Sequence, residues 1–231
     1  MKTIGLIGGM SWESSIEYYR IINETVREKL GGLHSARNVM YSVDFADIET
    51  LQHQNRWEEA TQLMIEAAQH VQNGGADFVL ICTNTMHKMA EDVQKNIDIP
   101  LLHIADATAL AIKDIGLTRI GLLGTRFTME EHFYRGRLES KHGLTVLLPD
   151  EDDREIIHRI IYDELCLGEV KPSSKEVYIE IINKLIQIGA QGIILGCTEI
   201  SLLVGESDSA LPIFDTTLIH AVSAVEYALS P

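Results

Sequence analysis

Two short stretches of the chain carry residues suited to proton-transfer or nucleophilic chemistry. Gly189-Ala-Gln-Gly-Ile-Ile-Leu-Gly-Cys-Thr-Glu-Ile200 reads as a buried strand that stops at Gly196 and presents Cys197 where a helix is expected to begin. A thiol at a helix N-terminus sits in a positive field with N–H donors nearby, which favours thiolate and suits either a base or a nucleophile. The competing reading is an inert, buried cysteine, since free Cys is among the most buried residue types. Gly75-Ala-Asp-Phe-Val-Leu-Ile-Cys-Thr-Asn-Thr-Met86 repeats the pattern. Gly75 and Ala76 match Gly189 and Ala190, the apolar runs coincide, and Thr83 falls opposite Cys197 at 197 − 83 = 114 positions. Asn84, Thr85, Thr198 and Glu199, which follow the two strand ends, are of helix-capping type. A cap also offers free backbone N–H groups and hydroxyls, which a substrate carboxylate requires.

Other chemistries leave no pattern. Gly5-Leu-Ile-Gly8-Gly9 lacks the final spaced glycine of a dinucleotide fingerprint, and no phosphate-binding Gly-Lys-Ser/Thr loop occurs. The turn preference of glycine accounts for it as a tight strand-to-helix connection. The nine histidines show no metal-ligand spacing, so no metal is expected, and His87 and His103 read as structural or supporting residues. No Gly-x-Ser-x-Gly nucleophile elbow is present. Cys166, in Glu-Leu-Cys-Leu-Gly at an expected helix end, reads as core packing.

The formal net charge of −15 and pI near 4.9 repel phosphate backbones, and no cluster of Lys and Arg offsets them, so nucleic acid is excluded as a partner. No apolar run approaches the roughly 18 residues of a membrane span, and Met1-Lys-Thr-Ile runs into a strand-like segment without secretory signal architecture. A cytoplasmic protein without membrane partners is expected. Three scattered cysteines make free thiols in a reducing compartment simpler than a disulfide framework.

The elements that must position these residues alternate. Thr3 to Gly8 is strand-like, Ser11 opens a long helix that closes at Gly31-Gly32, and Asn38 to Val43 is the next strand. After a loop through Gln52, Ala60, Leu63, Met64, Ala67, Ala68 and Val71 keep helical spacing. A strand over Asp77 to Cys82, a helix over Thr85 to Ile97, a short strand at Ile99 to Ile104 and a helix over Ala105 to Ile115 follow. The pattern then restarts: Arg119 to Gly124 repeats Thr3 to Gly8, a helix covers Thr128 to Lys141, and Leu144 to Leu148 is a strand. Helices over Asp153 to Leu167 and Ser174 to Ile188, the latter with Val177, Ile181, Leu185 and Ile188 as its apolar stripe, lead to the Cys197 strand. Leu211 to Asp215 mirrors Ile99 to His103, and a helix from Asp215 to Leu229 closes the chain.

Apolar strands alternating with helices predict an α/β fold of parallel sheets covered on both faces, in two similar three-layer halves. The first domain is expected over residues 1–115, joined by the C-terminal helix 215–231, and the second over 116–214. Ligands of such folds bind at the carboxyl ends of strands. A cleft between the halves would therefore gather Gly8 to Ser11, Thr83 to Thr85, Gly124-Thr125 and Cys197 to Glu199 around one small molecule.

Gly196-Cys-Thr-Glu-Ile200, Thr83-Asn-Thr85, Ile4-Gly-Leu-Ile-Gly-Gly-Met10 and the duplication together resemble the aspartate/glutamate racemase family, amino-acid racemases that use no pyridoxal phosphate. The likeness covers the whole chain. It extends to the L-aspartate/glutamate-specific and broad-specificity branch through Leu80-Ile-Cys-Thr-Asn-Thr-Met-His-Lys88, Leu102-His-Ile-Ala-Asp-Ala107 and Phe133-Tyr-Arg-Gly-Arg-Leu138. The resemblance implies a cofactor-independent reaction in which one side chain removes the Cα proton and another, on the opposite face, returns one. It implies Cys197 and Thr83 as that pair, Asn84, Thr85 and Thr198 around the substrate carboxylate, Met10 and Gln52 lining the pocket, and Glu199 beside the amino group. A homodimer is implied as well.

The chain departs from the family where most members carry Cys directly before the first Asn-Thr. Thr83 stands there, with Cys82 one residue earlier. Successive strand residues point to opposite faces, so a cleft-facing Thr83 puts Cys82 in the core. A hydroxyl is a far weaker acid than a thiol of pKa about 8.5, so Thr83 could donate or relay a proton but is a poor resting base. An L-Asp/L-Glu racemase, a related isomerase or lyase, and a non-catalytic amino-acid-binding protein are the three functions consistent with this set.

Overall fold

The computed structural model describes residues 1–231, and every strand pairing in it is parallel. The chain forms two compact units, residues 1–104 with 220–231, and residues 105–219.

The first unit is built on β1 (Ile4–Gly8), β2 (Asn38–Ser42) and β3 (Phe78–Ile81), in the order β2-β1-β3. β1 and β3 are buried along their whole length, as parallel strands covered on both faces must be. Strand alternation divides their side chains between two cores. Ile4, Leu6, Phe78, Leu80 and Cys82 pack against Tyr18, Ile22 and Val26 of α1 (Trp12–Leu30) and against Ala221, Ala224 and Val225 of the C-terminal helix (Thr216–Leu229). Ile7, Val79 and Ile81 pack on the other side with Ile48 and Leu51 of α2 (Phe45–His53) and Met64, Ala68 and Val71 of α3 (Trp57–Asn73).

Helix α2 replaces the loop expected through Gln52. Asp44 caps it by accepting from Ala46 N at 3.0 Å, and Ile48, Leu51 and Gln52 form one buried face. The helix expected over Thr85–Ile97 divides into a 3-10 turn, Thr85–Met89, and α4 (Ala90–Lys95). The expected strand at Ile99–Ile104 reduces to a single bridge between Leu101 and Val79. Pro100 lends only its carbonyl, to Val79 N at 2.9 Å, and α5 (Ile104–Asp114) starts at once.

The second unit holds β4 (Arg119–Gly124), β5 (Thr145–Leu147), β6 (Gly192–Gly196) and β7 (Ile213–Asp215), ordered β5-β4-β6-β7. This is the order β2-β1-β3 again, with β7 in the place of the Leu101 bridge, so the sequence duplication is a duplication of topology. Gly124 and Gly196 are register partners, and a Cβ on either would lie 2.8 Å from a backbone oxygen of the other strand. Only glycine lets β4 and β6 end this close together.

The helix expected over Thr128–Lys141 is two, α6 (Arg126–Glu130) and α7 (Arg135–His142). Glu131 turns extended between them, and Tyr134 at the break is fully buried. Likewise α8 (Glu151–Asp163) stops before a 3-10 turn, Leu165–Leu167, closed by Gly168 at φ 74°. Helix α9 (Pro172–Gln187) buries Ser174, Tyr178, Ile181, Ile182 and Leu185. Ile188, expected in the apolar stripe, is exposed instead: α9 ends at Gln187, so Ile188 is its C-cap, followed by Gly189 at φ 95°, and lies outside the helical face. The last helix, α10, spans Thr216–Leu229 and enters the first unit from His220 onward.

Asp106 ties α5 to α7. Its carboxylate accepts from Arg137 at 2.8 and 2.7 Å, from Lys141 at 2.8 Å and pairs with His142 at 2.7 Å. Burial alone would raise its pKa, but the hydrogen bonds from Arg137, His142 and Lys141 outweigh burial and hold the carboxyl well below the usual range.

Candidate active site

In the first unit the carboxyl ends of the strands lie side by side. Val43 N–H donates to Gly8 O at 3.0 Å and Cys82 N–H to Ile7 O at 2.9 Å. Gly9 then turns at φ 91°, where a Cβ would collide with Val43 O. Its N–H donates to Ser15 Oγ at 2.8 Å, and Ser15 Oγ donates to Ser11 O at 3.0 Å, so the first turn of α1 fixes the loop. Ser15 was not evident from the sequence; the hydroxyl four residues after Ser11 is its only signal. Met10 is buried in the cluster that holds Ile48, Leu51 and Met86, and Gln52 Nε2 donates to Met86 Sδ at 3.1 Å. Gln52 is thus bonded to a methionine of the same core that holds Met10.

Past β3, Cys82 is 1% exposed and packs with Leu80 and Phe78 in the core under α1 and α10, where burial pushes its thiol far above its usual range. Thr83 is partly exposed, and Asn84 and Thr85 are buried. The 3-10 turn that follows carries no side-chain cap from Asn84, in contrast to the capping type of that residue. His87 Nδ1 lies 2.7 Å from Thr83 O and its Nε2 3.2 Å from Ile104 N.

In the second unit Cys197 follows Gly196 at the end of β6, next to the end of β4. The expected α-helix does not follow. Ile200 N–H closes on Cys197 O at 3.1 Å and a 3-10 turn of three residues, Ile200–Leu202, takes its place. Too few peptide dipoles align there to favour an anion. The Cys197 thiol is correspondingly held well above its ordinary pKa, first by burial, then by the charge of Glu199 and by Cys166. Sγ donates to Glu199 Oε2 at 2.9 Å, and Thr198 Oγ1 donates to the same oxygen at 2.9 Å. The resting state is a neutral thiol resting on a carboxylate rather than the thiolate anticipated from a helix end.

Each unit therefore presents its own set: Met10, Thr83, Asn84 and Thr85 past strand ends with Gln52 from the last turn of α2 in the first, and Cys197, Thr198 and Glu199 past β6 in the second. No grouping of three or more His, Cys, Asp or Glu side chains could hold a metal ion. Residues 7–224, which include all eight, match the sequence profile of the Asp/Glu/Hydantoin racemase family. The chain belongs to this family. Family membership makes it an enzyme of the isomerase class and supports amino-acid racemisation without a cofactor.

Two solved structures match the chain over its full length, and a further relative matches it over part. The chain is 56% identical to a Yersinia pestis protein whose crystal structure was described as that of an Asp/Glu racemase by assignment, with TM-score 0.93 and both chains covered completely. It is 35% identical to an aspartate racemase homologue from Pyrococcus horikoshii OT3, with TM-score 0.86 and again complete coverage of both. It is also 30% identical to a glutamate racemase of Persephonella marina over 190 residues, 75% of this chain and 68% of the relative. No helix is long and apolar enough to cross a membrane.

Proposed function

We propose that the protein racemises small acidic amino acids, L-aspartate and L-glutamate, by abstracting and returning the Cα proton with Cys197 and Thr83 as an unequal pair. The observation that carries this reading is the Cys197–Glu199 hydrogen bond of 2.9 Å. A buried thiol of raised pKa is a poor base until its proton has somewhere to go, and Glu199 is the acceptor already in contact. Transfer along this bond gives a thiolate and a carboxylic acid. The thiolate then takes the Cα proton from the L-face. The positive charge of the substrate ammonium, placed near Glu199, would offset the cost of the new thiolate.

Without a cofactor to hold the carbanion, hydrogen-bond donors around the α-carboxylate stabilise the developing charge, the role proposed for Asn84, Thr85 and Thr198, the last exchanging its hydroxyl bond to Glu199 for one to the substrate. Met10 and Gln52 line the side-chain end. Thr83 serves the D-face as a proton relay: as its hydroxyl gives a proton to the carbanion it takes one from solvent, and Glu199 releases its proton to solvent, so both return to their resting forms. The Thr83 hydroxyl is too weakly acidic to be a resting base, so return of the proton from Cys197 competes with inversion.

We also propose a homodimer and a cytoplasmic location. Trp12, Ile16 and Tyr19, spaced along one face of α1, are each more than half exposed and line a pocket of about 390 Å³ with Met40 on the edge strand β2. A contiguous apolar face of this kind favours a protein partner, and a Trp12→Glu variant sedimenting as a monomer beside a dimeric parent would bear it out. Three free thiols suit a reducing compartment.

The deciding experiment follows deuterium into the Cα position of L-Asp and L-Glu in D2O. Label incorporation supports proton abstraction. Saturable binding of either amino acid with no incorporation would overturn the reading in favour of a binding protein.

A further inference from the structure

We infer that His87 is a positioning residue for Thr83, its imidazole fixing the backbone of the D-face residue to the segment at which the chain leaves the first unit. The inference rests on the role proposed above for Thr83 and adds a residue to it.

Both ring nitrogens of His87 have partners whose roles cannot be exchanged. Thr83 O, 2.7 Å from Nδ1, is a carbonyl and can only accept, so Nδ1 carries the proton. Ile104 N–H, 3.2 Å from Nε2, can only donate, so Nε2 keeps its lone pair. The ring is therefore neutral and of one tautomer, and it is 2% exposed. A second buried imidazole grips the same segment. His220 Nε2–H donates to Leu102 O at 2.9 Å while its Nδ1 accepts from Tyr18 OH at 2.8 Å. The rings of His103 and His220 lie 4.5 and 5.9 Å from that of His87.

The location gives the contact its consequence. The first unit ends at Ile104 and resumes at His220, so these imidazoles hold the chain at both crossings. Thr83 sits between core-bound Cys82 and the 3-10 turn, outside the strand ladder, and the His87 bond is what fixes its carbonyl. A reacting group displaced by about 1 Å costs on the order of a hundredfold in rate. His87 acts through Thr83, so its loss should fall on the D-face alone and leave Cys197 untouched.

Two substitutions separate the halves of the ring. His87→Asn places an amide donor near the Nδ1 position and gives up Ile104. His87→Gln places an acceptor near Nε2 and gives up the bond to Thr83. In D2O with L-Glu, the His87→Gln protein should lose inversion at least about tenfold relative to Cα exchange with retention, while exchange itself changes less than about threefold. His87→Asn should keep the wild-type ratio within about threefold. An unchanged ratio in His87→Gln, or equal loss of exchange and inversion in both folded variants, would overturn the inference. Imidazole 15N NMR of the full chain tests it without turnover. An Nδ1-protonated neutral ring is expected, and an Nε2-protonated or doubly protonated ring at neutral pH would overturn it. If the wild type shows the expected tautomer but exchanges neither amino acid, the racemase reading fails and with it the catalytic purpose of the bond.

Discussion

Cys197 Sγ and Glu199 Oε2 share one proton across 2.9 Å inside the second unit, and Thr198 Oγ1 donates to the same carboxylate oxygen. Two donors on one oxygen hold the carboxylate beside the thiol. The cost is a thiol harder to ionise, about 1.4 kcal/mol for each unit its pKa rises. In the mechanism proposed above, the pair stays thiol and carboxylate until the substrate ammonium arrives.

Glu199→Gln should separate thiol acidity from turnover. Removing the carboxylate charge lowers the pKa of Cys197, so alkylation of Cys197 by iodoacetamide, followed in a Cys166→Ser background, should reach half-maximal rate at lower pH than with Glu199 present. Cα exchange should nevertheless fall, by roughly a hundredfold, because the proton acceptor is gone. A faster exchange rate alongside the lower alkylation midpoint would show that the thiol needs no acceptor.

Cys197→Ser should remove exchange of L-substrates by about a thousandfold or more, since a hydroxyl replaces the thiol as base. Exchange at near the parental rate would assign the base elsewhere.

Cys82 is packed with Leu80 and Phe78 rather than offered to solvent. Cys82→Ser should cost about 1–3 kcal/mol of stability by burying a hydroxyl, read from urea unfolding, and leave exchange within about threefold. Lost exchange in a protein of unchanged stability would make Cys82 a second working thiol.

Thr83→Cys should raise inversion relative to retention exchange by about tenfold or more, a barrier change of only about 1.4 kcal/mol. The two enantiomers have equal free energy, so kcat/KM must be equal in both directions in parent and variant alike. Only the partition of the carbanion can change. Equal Cα exchange of L- and D-Glu by the unmodified protein would mean that a competent base already serves the D-face.

His220 sets a pH dependence of stability. Burial, partly offset by the bond to Leu102 O, lowers its pKa from 6.5 to about 4. The unfolded chain therefore binds a proton between pH 6.5 and 4 that the folded chain refuses. Stability should fall as pH drops through that window, by on the order of 3 kcal/mol in full. Urea midpoints at pH 7.5 and 5 should differ clearly less in His220→Gln than in the parent, and the same difference in both would exclude His220 as the source.

The repeat, the parallel strands and the strand ends that bear Thr83 and Cys197 were legible in the sequence, because buried parallel strands demand unbroken apolar runs and the glycines closing them are dictated by local geometry. So was the core side of Cys82, which follows from two-residue alternation alone. The state of the thiol was not. Whether Cys197 opens an α-helix or a three-residue 3-10 turn, and whether a carboxylate two positions on folds back to touch it, depends on packing around the loop rather than on its residue types. The same holds for helix α2, read as a loop until Ile48, Leu51 and Gln52 found a core to face. Likewise, no spacing rule joins His87 to Ile104 or His220 to Leu102. Contacts between residues distant in the chain exist only once the strands have brought them together, and it is these contacts that fix tautomers, proton positions and pKa values.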